Sequence, residues 1–223
     1  MKRTKLKDRV LPAYTKGEEI MNMVTHIVGG GLGLMMLALC LFQADTVLKL
    51  VASLIYGITM VALYTVSGVY HGLRHGTGKK VMQVIDHCSI YFLIAGTYTP
   101  ILLCAFLPTY PVICLGLLVA EWLLCFLAAT LTAIDLKSFR VFSMICYIGM
   151  GWGIIFFLPQ CIEVMGTTGF ALLLTGGLAY TAGAVLFGLG TKLRWMHSVF
   201  HIFVVLGSLF QFLSIYLYVL VDF

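Results

Sequence analysis

The sequence predicts an all-α integral membrane protein, a single bundle of seven transmembrane helices with its amino terminus in the cytoplasm. Three observations predict it. Of 223 residues, 61% are hydrophobic and 10% charged, with a mean hydropathy of +1.03; an average soluble domain is roughly 45–50% apolar. Apolar stretches of about 20 residues, enough helix to cross a hydrocarbon core about 30 Å thick, recur along the chain. The Lys and Arg residues outside those stretches fall almost entirely on one side of the membrane.

The stretches span 24–43, 48–71, 86–107, 111–134, 141–162, 168–190 and 195–220. Each is expected to hold to within a few residues. The first follows the basic start MKRTKLKDRV and ends where Gln43 to Asp45 restores polarity. The second closes before HGTGKK, His75 to Lys80. The third ends at the turn from Pro108 to Pro111, and the fourth at Asp135 to Arg140. Gly166 to Gly169 separates the fifth from the sixth, and Thr191 to Arg194 separates the sixth from the seventh. Connections this short predict one domain over 1–223, with 1–22 a basic cytoplasmic tail and interfacial turn. The first stretch is expected to be retained. It is longer than the 7–15 residues of a signal-peptide core, and no A-x-A site follows it.

A cytoplasmic amino terminus places Lys2, Arg3, Lys5, Lys7, Arg9, Lys16, Arg74, Lys79, Lys80, Lys137, Arg140, Lys192 and Arg194 inside and only Lys49 outside. That asymmetry orients the bundle. The cations before the first helix read as a topology signal, so nucleic acid is not an expected partner. The carboxyl terminus at Phe223 is expected outside. Cysteines at 40, 88, 104, 114, 125, 146 and 161 form no C-x-x-C pair, which argues against a disulfide framework or thiolate metal site. Cys88 lies beside Asp86, but packing is its expected role.

With this orientation, His26, His71, His75, His87, His197 and His201 all fall at or near the cytoplasmic ends of the helices. They define a layer. His197 and His201 in WMHSVFH are four apart, hence on one helical face, and can offer two nitrogens to one metal. The intervening Ser198, Val199 and Phe200 supply no base. Ser67 and His71 in SGVYH form a second i, i+4 pair, and Asp86 in IDHCS stands at the same depth on the third helix. Three neutral imidazoles with an open fourth position make a catalytic zinc arrangement. Asp86 would balance part of the charge and hydrogen-bond the water that zinc activates. Ser67 would orient that water or a substrate carbonyl. Polar residues are rare enough within membranes that this coincidence favours a metal site.

Simpler roles account for other residues. His75 and His87 are expected to snorkel or bond a carbonyl, and Asp86 alone could cap the third helix. In TKGEEIMNMVTH, Thr15 and Glu18 fit a capping box. Glu19, Asn22 and His26 share one face there and are expected either to support the polar layer or to be solvated. Glu121, midway along the fourth helix, is read as a protonated acid bonded to a hydroxyl rather than as part of a proton or solute path.

EEIMNMVTH at 18–26, SGVYH at 67–71, DHCSIYFLIAGTYTP at 86–100 and HSVFH at 197–201 resemble the bacterial haemolysin III family, relatives of the adiponectin and progestin receptors. The resemblance covers nearly the whole chain in order. It implies a bacterial inner-membrane protein with zinc between helices 2, 3 and 7, held by His71, His197 and His201. It also implies that Asp86 holds the activated water, with Ser67 nearby. Through that family the chain is similar to membrane hydrolases including alkaline ceramidases. That likeness implies hydrolysis of an amide or ester in a membrane lipid, with Asp86 as general base.

Three functional classes follow: a zinc-dependent lipid hydrolase, a receptor or homeostasis sensor with structural zinc, and a pore. The hydrolase should lose turnover but keep its metal on Asp86→Asn. A sensor has no turnover to lose, and a pore should tolerate loss of the metal ligands while depending on Glu121.

Overall fold

The computed structural model describes residues 4–190 and 193–221, so Lys2, Arg3, Thr191, Lys192 and Phe223 lie outside the described residues. The α-helices are α1 (Lys16–Gln43), α2 (Val47–Gly72), α3 (Thr77–Pro100), α4 (Pro111–Ile134), α5 (Arg140–Trp152), α6 (Leu158–Leu189) and α7 (Met196–Tyr218). There is no strand among the described residues. Their outward faces carry exposed Leu34, Leu123, Phe126 and Val185, while tyrosines, leucines and phenylalanines fill the interior. An apolar exterior on apolar helices this long is that of a multi-pass membrane protein.

α1 begins eight residues before the expected boundary because the capping box forms. The Thr15 N–H donates to Glu18 Oε2 at 2.9 Å, and the Glu18 N–H donates to Thr15 Oγ1 at 3.3 Å. Such a cap stabilises a helix by about 1 kcal/mol. Beyond it, Glu18, Asn22 and His26 are buried. Hydropathy alone ends a helix at residues like these, but here Trp195 and Ser198 at the start of α7 satisfy Glu18 and Asn22, and His26 is buried by packing. The same cause moves the start of α3 from 86 to Thr77, since Lys79 and Gln83 are buried in its opening turns. Asp86 therefore sits in the third turn of α3, which corrects its reading as an N-terminal cap.

Pro100 has no N–H to continue the α ladder. The chain widens into a π-helical stretch, Ile101–Phe106, and the Leu107 N–H reaches the Leu102 carbonyl at 2.9 Å. Further on, α5 tightens into a 3-10 segment, Gly153–Phe157, and runs into α6. The stretches expected at 141–162 and 168–190 thus form one helical run of 50 residues, Arg140–Leu189. Six runs among the described residues, not seven, are long and apolar enough to cross a membrane. The expected break survives as Gly166, at φ 70 and ψ 165, where the helix cannot continue.

α3 is the most buried run. Its Tyr98, Ile101, Leu102 and Phe106 share a core with Tyr56, Met60 and Tyr64 of α2 and Phe212 and Ile215 of α7. α6 and α7 approach closely: a Cβ at Gly176 would meet the Gly207 carbonyl at 2.9 Å. α1 packs on both α2 and α7, so the start of α1 meets the end of α2 and the start of α7. Ahead of α1, residues 4–15 cross this end of the bundle. The Thr4 N–H donates to Asp135 Oδ2 at 2.8 Å.

Candidate metal centre

Three helix ends converge here. His71 lies in the last turn of α2, and His197 and His201 in the first turns of α7; all three are buried. The start of α7 is set by Trp195, in the left-handed region at φ 67. Its N–H donates to Glu18 Oε1 at 2.8 Å. Glu18 therefore caps α1 with one oxygen and holds the entrance of α7 with the other. Ser198 adds a second tie, its hydroxyl donating to Asn22 Oδ1 at 2.6 Å.

One nitrogen from each of His71, His197 and His201 lies within 4.8 Å of the others. His197 Nε2 and His201 Nε2 are 3.1 Å apart. His71 Nδ1 stands 2.6 Å from Glu19 Oε2, so it carries the proton and donates, with Asn22 Nδ2 farther off at 3.4 Å. This leaves His71 Nε2 a bare lone pair, buried and without a hydrogen-bond partner. A buried acceptor without a donor is unfavourable, and a cation between the imidazoles satisfies all three at once. The 3.1 Å between His197 Nε2 and His201 Nε2 suits two metal–nitrogen bonds of about 2.0–2.1 Å. The residues fit a metal, and an all-imidazole set suits zinc as well as copper, iron or nickel.

Around the cluster lies an ionic brace. The second Glu19 oxygen is 2.8 Å from Lys79 Nζ, and both charged groups are largely withdrawn from solvent. Lys79 also donates to the carbonyls of His71, at 3.3 Å, and Leu73, at 3.0 Å. A carboxylate behind a ligating imidazole fixes its tautomer and raises its basicity. The sequence marked Glu19 only as a member of a polar face and counted Lys79 only as a topology cation. Nothing local identifies Lys79, because its partner is sixty residues away.

Ser67 and Asp86 meet at the same place. The Ser67 hydroxyl lies near enough to the Asp86 carboxyl to act on it, and the Asp86 side chain is 16% exposed. Both line a cavity of about 780 Å3 together with His197 and His201, while His71 stays behind its wall. The cavity runs on past Ile90, Leu93, Phe170, Leu173 and Val204. Tyr14, which the sequence reading passed over, stacks on the His197 ring at 4.8 Å. Burial, then the neighbouring carboxylates, push its phenol up.

Two further histidines, His26 and His87, line the same cavity, His87 Nδ1 lying 3.8 Å from Asp86 Oδ2. His87 Nδ1 bonds the Gln83 carbonyl at 2.8 Å and His75 is exposed, the roles expected of them. His26 is buried and stacks on His201 at 3.8 Å, with neither ring nitrogen partnered. Cys88 Sγ contacts the Ala129 carbonyl at 3.4 Å, a packing role, and all seven cysteines are free. Glu121 is buried midway along α4 with Oε2 unpartnered. The nearby Tyr98 hydroxyl is engaged by the Ile154 N–H at 2.9 Å.

Fold and site together define a helical multi-pass membrane protein with a buried three-histidine cluster at one end of its bundle. The chain belongs to the family described as Haemolysin-III related, whose model matches residues 14–212. It is 37% identical over 208 residues to Hemolysin-3 of Bacillus cereus, covering 91% of this chain and 92% of that one. Hemolysin-3 homolog of Bacillus subtilis is 34% identical over 208 residues, 92% and 96% of the two chains. A more distant relative is the human Monocyte to macrophage differentiation factor, 26% identical over 189 residues, 78% and 73% of the two chains.

Proposed function

We propose that this protein is a zinc-dependent hydrolase of the bacterial inner membrane acting on an amide or ester bond of a membrane lipid. The observation that carries the reading is the shared wall: His197, His201, Ser67 and Asp86 face one cavity whose continuation is apolar. Such a space suits an acyl chain with its polar linkage at the histidine end. His71, His197 and His201 would hold the zinc, which supplies Lewis acidity toward a carbonyl and an activated water. Asp86 accepts a proton and returns it to the leaving group. Ser67, beside the Asp86 carboxyl, orients the water or the substrate carbonyl.

The chain is proposed to cross the membrane seven times from a cytoplasmic amino terminus, with the site at the cytoplasmic face. The Lys and Arg asymmetry supports the orientation. Gly166 supports the count: a straight 50-residue helix would be about 75 Å long, and this glycine divides the run. Reporter fusions at the two termini are expected on opposite sides, and termini on the same side would overturn the seven-span arrangement.

Release of fatty acid from lipid amides and esters by the detergent-purified protein tests the activity. Release is expected to follow zinc content and stop with a chelator. A His197→Ala, His201→Ala variant that retains its zinc would refute the site. A second reading, a receptor or sensor with structural zinc, is favoured by one observation: the three ligands tie only α2 to α7. Zinc retention without turnover on any lipid would select it.

A further inference from the structure

We infer that the mouth of the cavity, beneath residues 4–15, binds the anionic head group of an amphiphile whose hydrocarbon chain fills the apolar interior. Four cations line this mouth: Arg9, Lys137, Arg140 and Arg194. The acids beside them are Asp8 and Glu18, with Asp86 deeper. Glu18 is occupied by the Thr15 and Trp195 N–H groups, so the mouth keeps an excess of positive charge.

Arg9 gives the site its chemistry. Its Nη2 donates to the Ala133 carbonyl at 3.5 Å, but Nε and Nη1 are buried with no hydrogen-bond partner. Buried guanidinium donors are rarely left unmade, and their planar fork matches a carboxylate or phosphate. The topology signal explains why cations gather at this end. It does not explain a guanidinium with two buried, unpartnered nitrogens, and Arg74 and Lys80 do not line the cavity at all.

Arg140 lies close enough to act electrostatically on Tyr14, which stacks on His197. A head group held at Arg9 and Arg140 thus sits at the rim of the histidine cluster. A cavity of about 780 Å3 falls in the range that takes one small ligand, which fits one acyl chain. A carboxylate or a phosphate head would serve equally.

The inference rests on the lipid reading above, and its test is binding alone. The probes are two ether lysophospholipids of equal chain length, one with a phosphoglycerol and one with a phosphocholine head, plus a fatty acid and inorganic phosphate. Ether linkages leave no carboxylic ester or amide to cleave, so failure of the hydrolase reading does not alter this result. The purified protein is expected to bind the anionic lysolipid or the fatty acid roughly tenfold tighter than the zwitterionic one. An Arg9→Gln, Arg140→Gln variant should bind both lysolipids alike, and the Arg9→Lys, Arg140→Lys variant should keep part of the preference, which separates charge recognition from misfolding. Equal affinities in the wild type, or a preference that survives the glutamine variant, would overturn the inference. Inorganic phosphate binding as tightly as the anionic lipid would assign the site to free phosphate and also overturn it.

Discussion

The Glu19 carboxylate holds the His71 imidazole by Nδ1 at 2.6 Å, and its other oxygen is 2.8 Å from Lys79 Nζ. One acid thus sets a tautomer on α2 and neutralises a buried cation on α3. Removing it should weaken metal binding, because supporting partners of this kind typically contribute 10–100-fold in affinity. Glu19→Ala is expected to lose about that much in a competition titration against a chelator. It also strands Lys79, and an unpaired buried charge costs about 3–5 kcal/mol. A Glu19→Ala, Lys79→Met variant should recover thermal stability without recovering metal affinity. Equal recovery of both would show that Glu19 acts on the fold alone.

Asp86→Asn keeps the shape of the side chain and removes the carboxylate proposed above as the base. It should retain full metal content while lipid hydrolysis falls by about 10²–10⁴. Ser67→Ala should reduce hydrolysis less. An Asp86→Asn protein that cleaves lipid as fast as wild type would remove this residue from the chemistry.

Gly166 adopts φ 70 and ψ 165, a region closed to residues with a Cβ at an expense of about 1–3 kcal/mol. Gly166→Ala should lower the unfolding temperature in detergent. Gly149→Ala, in the helical conformation with nothing near its missing Cβ, is expected to be neutral or stabilising by up to about 1 kcal/mol. Equal effects at both glycines would show that Gly166 is not a required bend.

Asp135 anchors the amino-terminal segment, accepting N–H groups from Thr4, Lys137 and Ser138. The Thr4 N–H, foremost, holds its carboxyl well below the usual range. A depressed folded-state pKa contributes stability that is complete above the unfolded value, about 3.9, and is lost as pH falls through the folded value. Protection factors of the amides in residues 4–15, taken against the intrinsic exchange rate at each pH, should accordingly be high at neutral pH and fall in acid below about pH 4. Asp135→Asn should exchange fast already at neutral pH, and a segment protected equally in this variant would exclude the anchor.

The sequence by itself determined the membrane class, the apolar segments and the spacing that puts His197 beside His201 and Ser67 beside His71. These depend on local periodicity and bulk transfer energy, which a single chain displays without folding. It also carried the Thr15–Glu18 cap, a contact three residues long. Only the tertiary structure decided where α3 begins, because Lys79 and Gln83 look like helix-ending polarity until partners on other helices bury them. It merged the fifth and sixth stretches into one run, since Gly166 bends the helix without adding a loop. It chose Glu19 for His71, Glu18 for Trp195 and Tyr14 for His197, pairings separated by 52, 177 and 183 positions. Selection across such distances comes from helix packing, in which the buried charge of Lys79 and the bare Nε2 of His71 leave few arrangements that satisfy every polar atom.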